Sequence, residues 1–461
     1  MSGLSDGDGR SAGCLHFFIR AALANVRRSK HVSFRTFSSR AAAAACLLVV
    51  WAVAAHAQEP LESTTLPDAQ IVQDTRPPVS PPATLDVGDL WRAVRHKDLE
   101  APERGTAPPN AGQHFVVVAP TVGSKPTTGF TAGLNGNMAF FSSDPAATHI
   151  SSVSAGFRVS QFGQVLSGAR FAIFTPHDGW FVQGDNRVSW TSLNTYALGA
   201  VPQPTGTVNV RFDQIRLYET VYKRIDRGLY VGGGVNLDAH ARVRPSESGD
   251  APFDDSAYVA YSVEHGFSPA RQLSTGTSVG LLYDTRDNAI NARRGVAAST
   301  TYRTFFSALG GDSTWQELAF DARTYKALDP DGRRKLAFWT MGDFVTGGTA
   351  PFWDLPAIAS DGRSARGYGE GRYRGEQLMY GEVEFRSTLT HNGLLGYVAF
   401  ANVTTVSNAD LQQRLFTEFA PAAGGGLRIL LNKRSRTNLC ADYGFGKSGS
   451  RGFYLAIQEA F

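Results

Sequence analysis

The chain has 461 residues, and its formal charge of +4 arises from 45 lysine and arginine residues against 41 aspartate and glutamate residues. Residues 1–57 hold seven of the basic residues and only two of the acidic ones, so the remaining chain is almost neutral. A near-neutral chain of this length allows one large domain or two to three ordinary ones, and its charge gives no support for a nucleic acid as a partner.

Residues 1–57 have the features of a secretory signal peptide. A basic region ends at Arg40, the apolar run AAAAACLLVVWAVA follows, and residues 55–57 form an A-x-A cleavage site before Gln58. The alternative is a transmembrane anchor, but the apolar run is shorter than the roughly 20 residues that the bilayer core requires. No long apolar run follows the leader, so the mature chain either is soluble outside the cytoplasm or crosses a membrane as strands.

Residues 58–114 are predicted to be a periplasmic linker, because prolines cluster there in RPPVSPP and APPN without sustained alternation. One short helix is predicted within this linker, since four apolar residues recur at helical spacing: Val87, Leu90, Trp91 and Val94. Two interpretations of the helix remain open. It either docks on a neighbouring element, or it serves as a plug or periplasmic contact of the domain that follows.

From residue 115 to the C-terminus, apolar and polar residues alternate in segments of about 9–16 residues that are separated by turn signals. The segment LMYGEVEFRS shows this pattern, with Met379, Val383 and Phe385 opposite Tyr380, Glu382, Glu384 and Arg386. Successive side chains of a strand point to opposite faces, so each segment has one apolar and one charged face. A soluble β-sandwich would alternate in the same way, with its apolar face inward.

Three features favour a membrane barrel over a sandwich. The segments exceed the usual strand length of about 5–6 residues, they are rich in glycine and aromatic residues, and the chain ends on Phe461 at the close of a strand. We therefore predict that residues 115–461 form an all-β, transmembrane, antiparallel β-barrel of about 16 strands, closed without an edge. The predicted strands begin near residues 115, 128, 149, 164, 179, 206, 228, 274, 295, 313, 332, 376, 393, 422, 435 and 451. The segments at about 244–273 and 348–375 are predicted loops on one side of the barrel.

The second of these loops is rich in arginine and glycine, and it leads into a strand with charge on one face, in RSARGYGEGRYRGEQLMYGEVEFR. Its Arg366-Gly367-Tyr368 resembles the arginine-glycine-aromatic motif of the BamA/TamA-type outer-membrane assembly superfamily, whose members are also called bacterial surface antigens. Three further segments are similar to that family's pattern: Gly129 in SKPTTGFTAG, the DTRDN turn at residues 284–288, and the strand at residues 382–386. The resemblance covers most of residues 115–461.

The resemblance implies that the loop folds inward and that Arg366 pairs with acidic residues of the inner wall. A guanidinium suits this role, because it stays charged and matches a carboxylate with two hydrogen bonds. Strand alternation places Glu382 and Glu384 on the non-lipid face, so both are candidate partners. The family's aromatic-x-aspartate-x-glycine wall motif reads FANVT here, with Asn402 in place of the aspartate, and Glu384 is therefore the better partner. Restoring aspartate at this position is expected to tighten the loop.

Two further site predictions concern a turn and the C-terminus. Asp284, Arg286 and Asp287 are expected to form a turn network, because a calcium site needs more oxygen ligands than this motif offers. Phe461 in the terminal strand resembles the insertion signal of bacterial outer-membrane barrels. The ten histidines lack zinc-binding spacing and no nucleophile elbow occurs, so the sequence indicates no metal, no cofactor and no catalytic residue, and the chain is not expected to be an enzyme.

The resemblance also implies a location and a role. It implies the outer membrane of a Gram-negative bacterium, in contact with lipid and lipopolysaccharide, and a function in inserting or exporting proteins. Relatives with that function carry polypeptide-transport-associated domains before the barrel, whereas residues 58–114 resemble a linker. A separate periplasmic partner would then handle the client proteins. The alternative is a passive channel or a structural barrel without client-handling activity.

Overall fold

The computed structural model describes residues 84–94, 112–125, 129–199, 207–246, 252–409 and 412–461. The predicted signal peptide, its cleavage site and most of the predicted linker lie outside these residues. Among the residues described, no helix is long and apolar enough to span a membrane.

Sixteen antiparallel strands form a single sheet, in which each strand pairs with its neighbours in the sequence. The strands are β1 (His114–Lys125), β2 (Gly129–Phe140), β3 (Ser151–Ser160), β4 (Val165–Phe174), β5 (Trp180–Thr195), β6 (Val208–Asp226), β7 (Leu229–Pro245), β8 (Gln272–Asp284), β9 (Gly295–Phe305), β10 (Trp315–Ala327), β11 (Arg334–Gly348), β12 (Gln377–Thr388), β13 (Leu395–Val406), β14 (Ala420–Asn432), β15 (Thr437–Gly446) and β16 (Arg451–Ile457). Every strand begins within two residues of its predicted start. The antiparallel sixteen-strand barrel that the alternation predicts is therefore confirmed.

The barrel is nearly closed, and it departs from the expected edge-free closure at the seam between its first and last strands. Over the described residues no ladder joins β1 to β16, although their Cα atoms approach within 8 Å. β16 has 7 residues, whereas the other strands have 10 to 19. Gln458 then adopts a φ of 80° and turns the last residues away from the strand. The strand that would complete the closure ends early, so an edge remains.

The two faces of the wall have opposite character. Val118 of β1 and Val279 of β8 are each 63% exposed and belong to the outer, apolar face. Glu382 and Glu384 of β12 are buried by the contents of the lumen. Apolar residues outside and charged residues inside suit a lipid environment, because a basic side chain on the lipid face would cost about 2–4 kcal/mol at the bilayer midplane.

Because the strand number is even, β1 begins and β16 ends at the same end of the barrel, which we name the proximal end. Loops 246–271 and 349–376 both lie at the opposite, distal end, as predicted. The first contains helix α2 (Ala257–Glu264). Single turns of 3-10 helix occur at Pro176–Asp178, Phe253–Asp255, Ser307–Leu309, Phe352–Asp354 and Lys447–Gly449.

The predicted short helix is present as α1 (Val87–Val94) and docks on turns of the proximal end. Asp86 and Asp89 cap its first turn, each accepting a hydrogen bond of 3.0 Å from the other's backbone N–H. The same carboxylates accept from the backbone N–H and the ammonium of Lys433, both at 3.0 Å. The helix therefore contacts the turn that follows β14, and its role as a plug or periplasmic contact stays a prediction.

Candidate functional site

Loop 349–376 folds into the barrel and contacts opposite parts of its wall. On one side, Arg170 of β4 and Arg187 of β5 donate hydrogen bonds of 2.7 Å to the backbone carbonyls of Asp361 and Ser360. On the other side, buried loop residues pack against Trp339 and Tyr380 of the wall. The packed loop residues are Ile358, Ala359, Ala365, Tyr368 and Tyr373. The loop thus bridges the lumen between β4–β5 and β11–β12.

Arg366 lies at the centre of an ion-pair network on the inner wall, and the residue is only 2% exposed. Its Nη1 contacts Asp442 Oδ2 at 2.6 Å, and its Nη2 contacts Glu382 Oε1 at 2.5 Å and also Glu384 Oε1. The guanidinium carbon stands 3.8 Å from the centroid of the Phe400 ring. A delocalised guanidinium is suited to bind several carboxylates and an aromatic face at once. We use the name lumen lock for Arg366, Gly367, Tyr368, Glu382, Glu384 and Asn402.

The network extends beyond the residues predicted from sequence. Arg386 Nε contacts Glu384 Oε2 at 2.5 Å, Arg428 Nη1 contacts Asp442, and Arg428 Nε contacts Glu459 Oε2 at 2.7 Å. Asp442, Arg428 and Glu459 were not singled out by the motif. Strand parity alone places Asp442 and Arg428 inward, but it does not show that β14 and β15 face the loop.

The loop backbone passes very close to the wall because glycines line both surfaces. Gly367 has a φ of 116°, and a Cβ added there would stand 2.9 Å from the Ala422 side chain. On β15, a Cβ at Gly444 would lie 2.7 Å from the Gly367 nitrogen, and one at Gly446 would lie 2.5 Å from the Tyr368 ring. Any larger side chain at these positions would push the loop away from the wall.

Tyr368 joins the loop to three wall strands. Its hydroxyl donates to the Pro421 carbonyl of β14 at 2.5 Å and accepts from the backbone N–H of Lys447, just after β15, at 2.8 Å. The hydroxyl of Tyr454, on β16, accepts from the Gly367 N–H at 3.0 Å and donates to the Tyr368 carbonyl at 3.1 Å. The arginine-glycine-tyrosine motif therefore contacts the strand that borders the seam.

Asn402 takes part in the lock as a hydrogen-bond donor. Its Nδ2 donates to the Arg366 carbonyl at 3.2 Å and to Glu382 Oε2 at 3.3 Å, while its Oδ1 has no partner within the described residues. From the sequence, Asn402 was expected to be a poorer partner of Arg366 than Glu384. In the structure Asp442 supplies a carboxylate to Arg366, and Asn402 instead ties Glu382 to the loop backbone.

Ion pairs offset the cost of burying Arg366 and Glu459, the two residues of the network that lie outside the strands. Burial alone lowers the pKa of Arg366, but Glu384, Glu382 and Asp442 raise it well above its ordinary value. Burial likewise raises the pKa of Glu459, while Arg428 and Arg386 hold it well below its usual range. Both groups therefore stay charged, and the network acts as a structural tie.

The other arginines of the loop have local roles. Arg374 donates from Nη1 to the carbonyls of Phe352, Trp353 and Leu355 at 2.8, 3.1 and 3.1 Å and so fixes the first turn of the loop. The Arg372 guanidinium stacks 4.8 Å from the centroid of Tyr196. The abundance of arginine in this loop thus reflects several separate contacts.

The DTRDN turn lies at the proximal end, away from the lumen lock. Arg286 Nη2 pairs with Asp284 Oδ2 at 2.6 Å. Asp287 accepts from the backbone N–H of Arg293 at 2.8 Å and from the Arg436 guanidinium at 2.7 Å. Across the described residues, no three or more histidine, cysteine, aspartate or glutamate side chains are grouped to hold a metal ion. These contacts tie the turn after β8 to the turn after β14.

Phe461 lies inside the barrel rather than in the terminal strand, which differs from the expectation. Its ring centroid is 5.1 Å from that of Trp339 and 4.8 Å from the Arg386 guanidinium carbon. Its main-chain oxygen accepts a hydrogen bond from Arg386 Nη2 at 2.9 Å. The reason is the turn at Gln458, which directs the last residues into the lumen.

The C-terminal part of the chain matches a protein-family model. The model of the Omp85 superfamily domain matches residues 234–460, from within β7 to the end of the chain. Comparison with curated proteins gave no match. Among solved structures, the chain is similar to BamA from Haemophilus ducreyi lacking POTRA domains 1–3, with 14% identity over 75% of this chain and 69% of that chain and a TM-score of 0.47.

Two structures of CdiB are also similar. CdiB from Escherichia coli has 12% identity, covers 77% of this chain and 64% of its own, and gives a TM-score of 0.49. CdiB from Acinetobacter baumannii has 12% identity, covers 75% and 59%, and gives a TM-score of 0.48. The chain thus spans less than two thirds of the length of either CdiB structure. The domain match and the sixteen-strand barrel show that residues 234–460 belong to the Omp85 superfamily of outer-membrane β-barrels.

Proposed function

We propose that the chain inserts or exports proteins at its β1–β16 seam, with client handling by a separate periplasmic partner. The observation that carries this proposal is the missing ladder between the two strands in the described residues. An unpaired strand edge presents N–H and C=O groups that a passing chain can satisfy by adding a strand. Within a bilayer such groups are costly to leave unpaired, so the seam favours a strand-forming client.

Contacts inside the lumen support the proposal that opening of the seam is controlled. The hydroxyl of Tyr454, on β16, bonds to Gly367 and Tyr368 of the lumen lock. The residues after β16 are held through Glu459 to Arg428 and through Phe461 to Arg386. The loop and the chain terminus therefore both hold the last strand from inside. Opening at the seam would strain these contacts first.

Helix α1 supports the idea of a periplasmic partner. Its carboxylates face the barrel through Lys433, whereas Leu90 and Trp91 are 43% and 58% exposed at the proximal end. An exposed tryptophan beside a leucine is typical of an anchor for another surface. We propose that this face meets the partner, while the apolar outer wall contacts lipid and lipopolysaccharide.

Site-specific photo-crosslinking in cells tests the proposal. A photoreactive residue replaces Val118 on β1, and the control replaces Val235 on β7, which has a similar exposure of 59% against 63%. We expect Val118 to capture outer-membrane or exported proteins whose amounts fall when the chain is depleted. Equal capture from both positions, or captured proteins indifferent to depletion, would refute a role for the seam.

The alternative of a passive channel makes a different prediction. Loop 349–376 bridges the lumen, and the C-terminal residues occupy its proximal part, which argues against an open pore. Planar-bilayer recordings separate the two functions. A large, steady conductance of the unaltered protein would favour the channel, and a small one that increases when Arg366 is replaced by alanine would favour the assembly function.

A further inference from the structure

A concave, basic site lies at the proximal mouth of the barrel, and we name it the proximal basin. It has a volume of about 420 Å³ and is formed by the turns β8–β9, β10–β11, β12–β13 and β14–β15 with the adjoining strand ends. Eight lysine and arginine side chains line it, against two carboxylates, those of Asp331 and Glu459. This concentration of positive charge stands out in a chain that is almost neutral after its leader.

Part of this charge is already balanced. Arg386 and Arg428 contact Glu459 and other carboxylates of the lumen network. Lys433 pairs with Asp89 of helix α1 at 3.0 Å, and Arg436 pairs with Asp287 at 2.7 Å. These four side chains shape the basin but leave little charge for a ligand, and the eighth, Arg434, also has an interaction partner.

Three basic side chains of the basin are not balanced in this way. Lys335 is 8% exposed and donates to Asn291 Oδ1 and, at 2.9 Å, to the Ala292 carbonyl. Arg333 donates to Thr388 Oγ1 at 3.1 Å and to the Thr390 carbonyl at 2.8 Å. For the side chains of Lys335, Arg333 and Arg293, no carboxylate lies within 4.0 Å in the described part of the chain. The guanidinium groups of Arg333 and Arg293 therefore carry positive charges that only neutral groups contact, and the buried amino group of Lys335 lies beside them.

These basic side chains lie close to one another. Arg333 and Lys335 both lie on the β11 side of the β10–β11 turn, and Arg293 reaches this turn from the neighbouring one, because its Cδ is 2.7 Å from where a Cβ of Gly332 would stand. His391 also lines the basin. Like charges held together in a concave site raise the local potential and concentrate anions.

We infer that the proximal basin binds a small anion that carries two or more phosphate groups. Guanidinium groups match the tetrahedral oxygens of phosphate with paired hydrogen bonds. The volume is that of a small-molecule site, so a compact ligand can contact both guanidinium groups. The phosphates can belong to a soluble molecule or to a lipid headgroup, since both present the same chemistry. This inference does not depend on the function proposed for the seam.

Calorimetric titration of the full-length protein with inorganic tripolyphosphate, in a zwitterionic detergent, tests the inference. The basin variant combines R293Q and R333Q, which remove two exposed or half-exposed turn charges outside the lumen lock. The control combines R211Q and R244Q, which remove two charges from paired positions at the distal end. We expect saturable binding by the unaltered protein and the control, about tenfold or more weaker in the basin variant.

Two further titrations identify the source and the class of ligand. Nanodiscs of zwitterionic lipid, with and without a lipid that carries two phosphates, replace the detergent. If the diphosphate lipid blocks tripolyphosphate binding to the unaltered protein, the headgroup is the ligand; if it does not, the ligand is soluble. A glutamate oligomer that binds as tightly as tripolyphosphate would overturn the phosphate assignment. So would a control variant that loses as much affinity as the basin variant, or an absence of saturable binding.

Discussion

Replacing Arg366 with alanine is expected to release loop 349–376 from the inner wall. The guanidinium is buried and contacts Glu382, Glu384 and Asp442. Its removal leaves these carboxylates close together, with only Arg386 and Arg428 nearby as cations. Breaking a buried ion pair from one side costs about 3–5 kcal/mol, so we expect a loss of that order in the free energy of unfolding.

The structure also predicts how much stability related variants lose. Glu384→Gln is expected to lose less, about 1–3 kcal/mol, because Arg366 keeps Asp442 and Glu382. The sequence favoured Glu384 as the partner of Arg366, but in the structure three carboxylates share the guanidinium. Arg372→Ala is the matched control in the same loop, since its guanidinium stacks on Tyr196 and is expected to contribute about 0–1 kcal/mol.

Equilibrium unfolding in urea, followed by tryptophan fluorescence of the reconstituted protein, measures these differences. Limited proteolysis reports access to residues 360–375, which we expect to increase in Arg366→Ala and to stay unchanged in Arg372→Ala. Equal losses of stability in the two variants, with unchanged protease access, would show that Arg366 does not tie the loop to the wall.

Three further predictions concern the wall and the leader. The sequence alone predicted that Asn402→Asp tightens the loop, but in the structure a carboxylate would stand where the amide now donates to Glu382 at 3.3 Å. We therefore expect this variant to destabilise the barrel by about 1–3 kcal/mol, and stabilisation in the same urea titration would contradict this. Gly444→Ala is expected to increase protease access to the loop, because the added Cβ would lie 2.7 Å from the loop backbone. Gly381→Ala is the control, because open space surrounds that position, and we expect it to leave protease access unchanged. Mass spectrometry of the membrane-purified protein is expected to find cleavage after Ala57, and an intact leader would refute this.

Alternation in the sequence was sufficient to predict the strands and their faces. A charged side chain cannot face lipid cheaply, so the parity of Glu382 and Glu384 already placed them inward. The same argument was available for Asp442 in LCADYGFG. Parity gives a face but not a position around the barrel, so it could not reveal that β15 lies against the loop.

Features that depend on a bend in the backbone were beyond sequence reasoning. The turn at Gln458 shortens β16 and carries Phe461 into the lumen. The alternation of residues in RGFYLAI gives no sign of this turn. The role of Asn402 depends on the direction of its amide relative to Glu382 and to the loop carbonyl. Motif similarity indicated the position but could not give this direction.

Amide hydrogen exchange of the reconstituted barrel tests the unpaired seam most directly. In an antiparallel strand, amides point alternately to the two neighbours, and β1 has a ladder only with β2. The account predicts slow and fast exchange at alternate residues of β1, against uniform protection in β6 and β7, which are paired on both sides. Uniform protection of β1 and β16 would show a closed ladder and contradict the account.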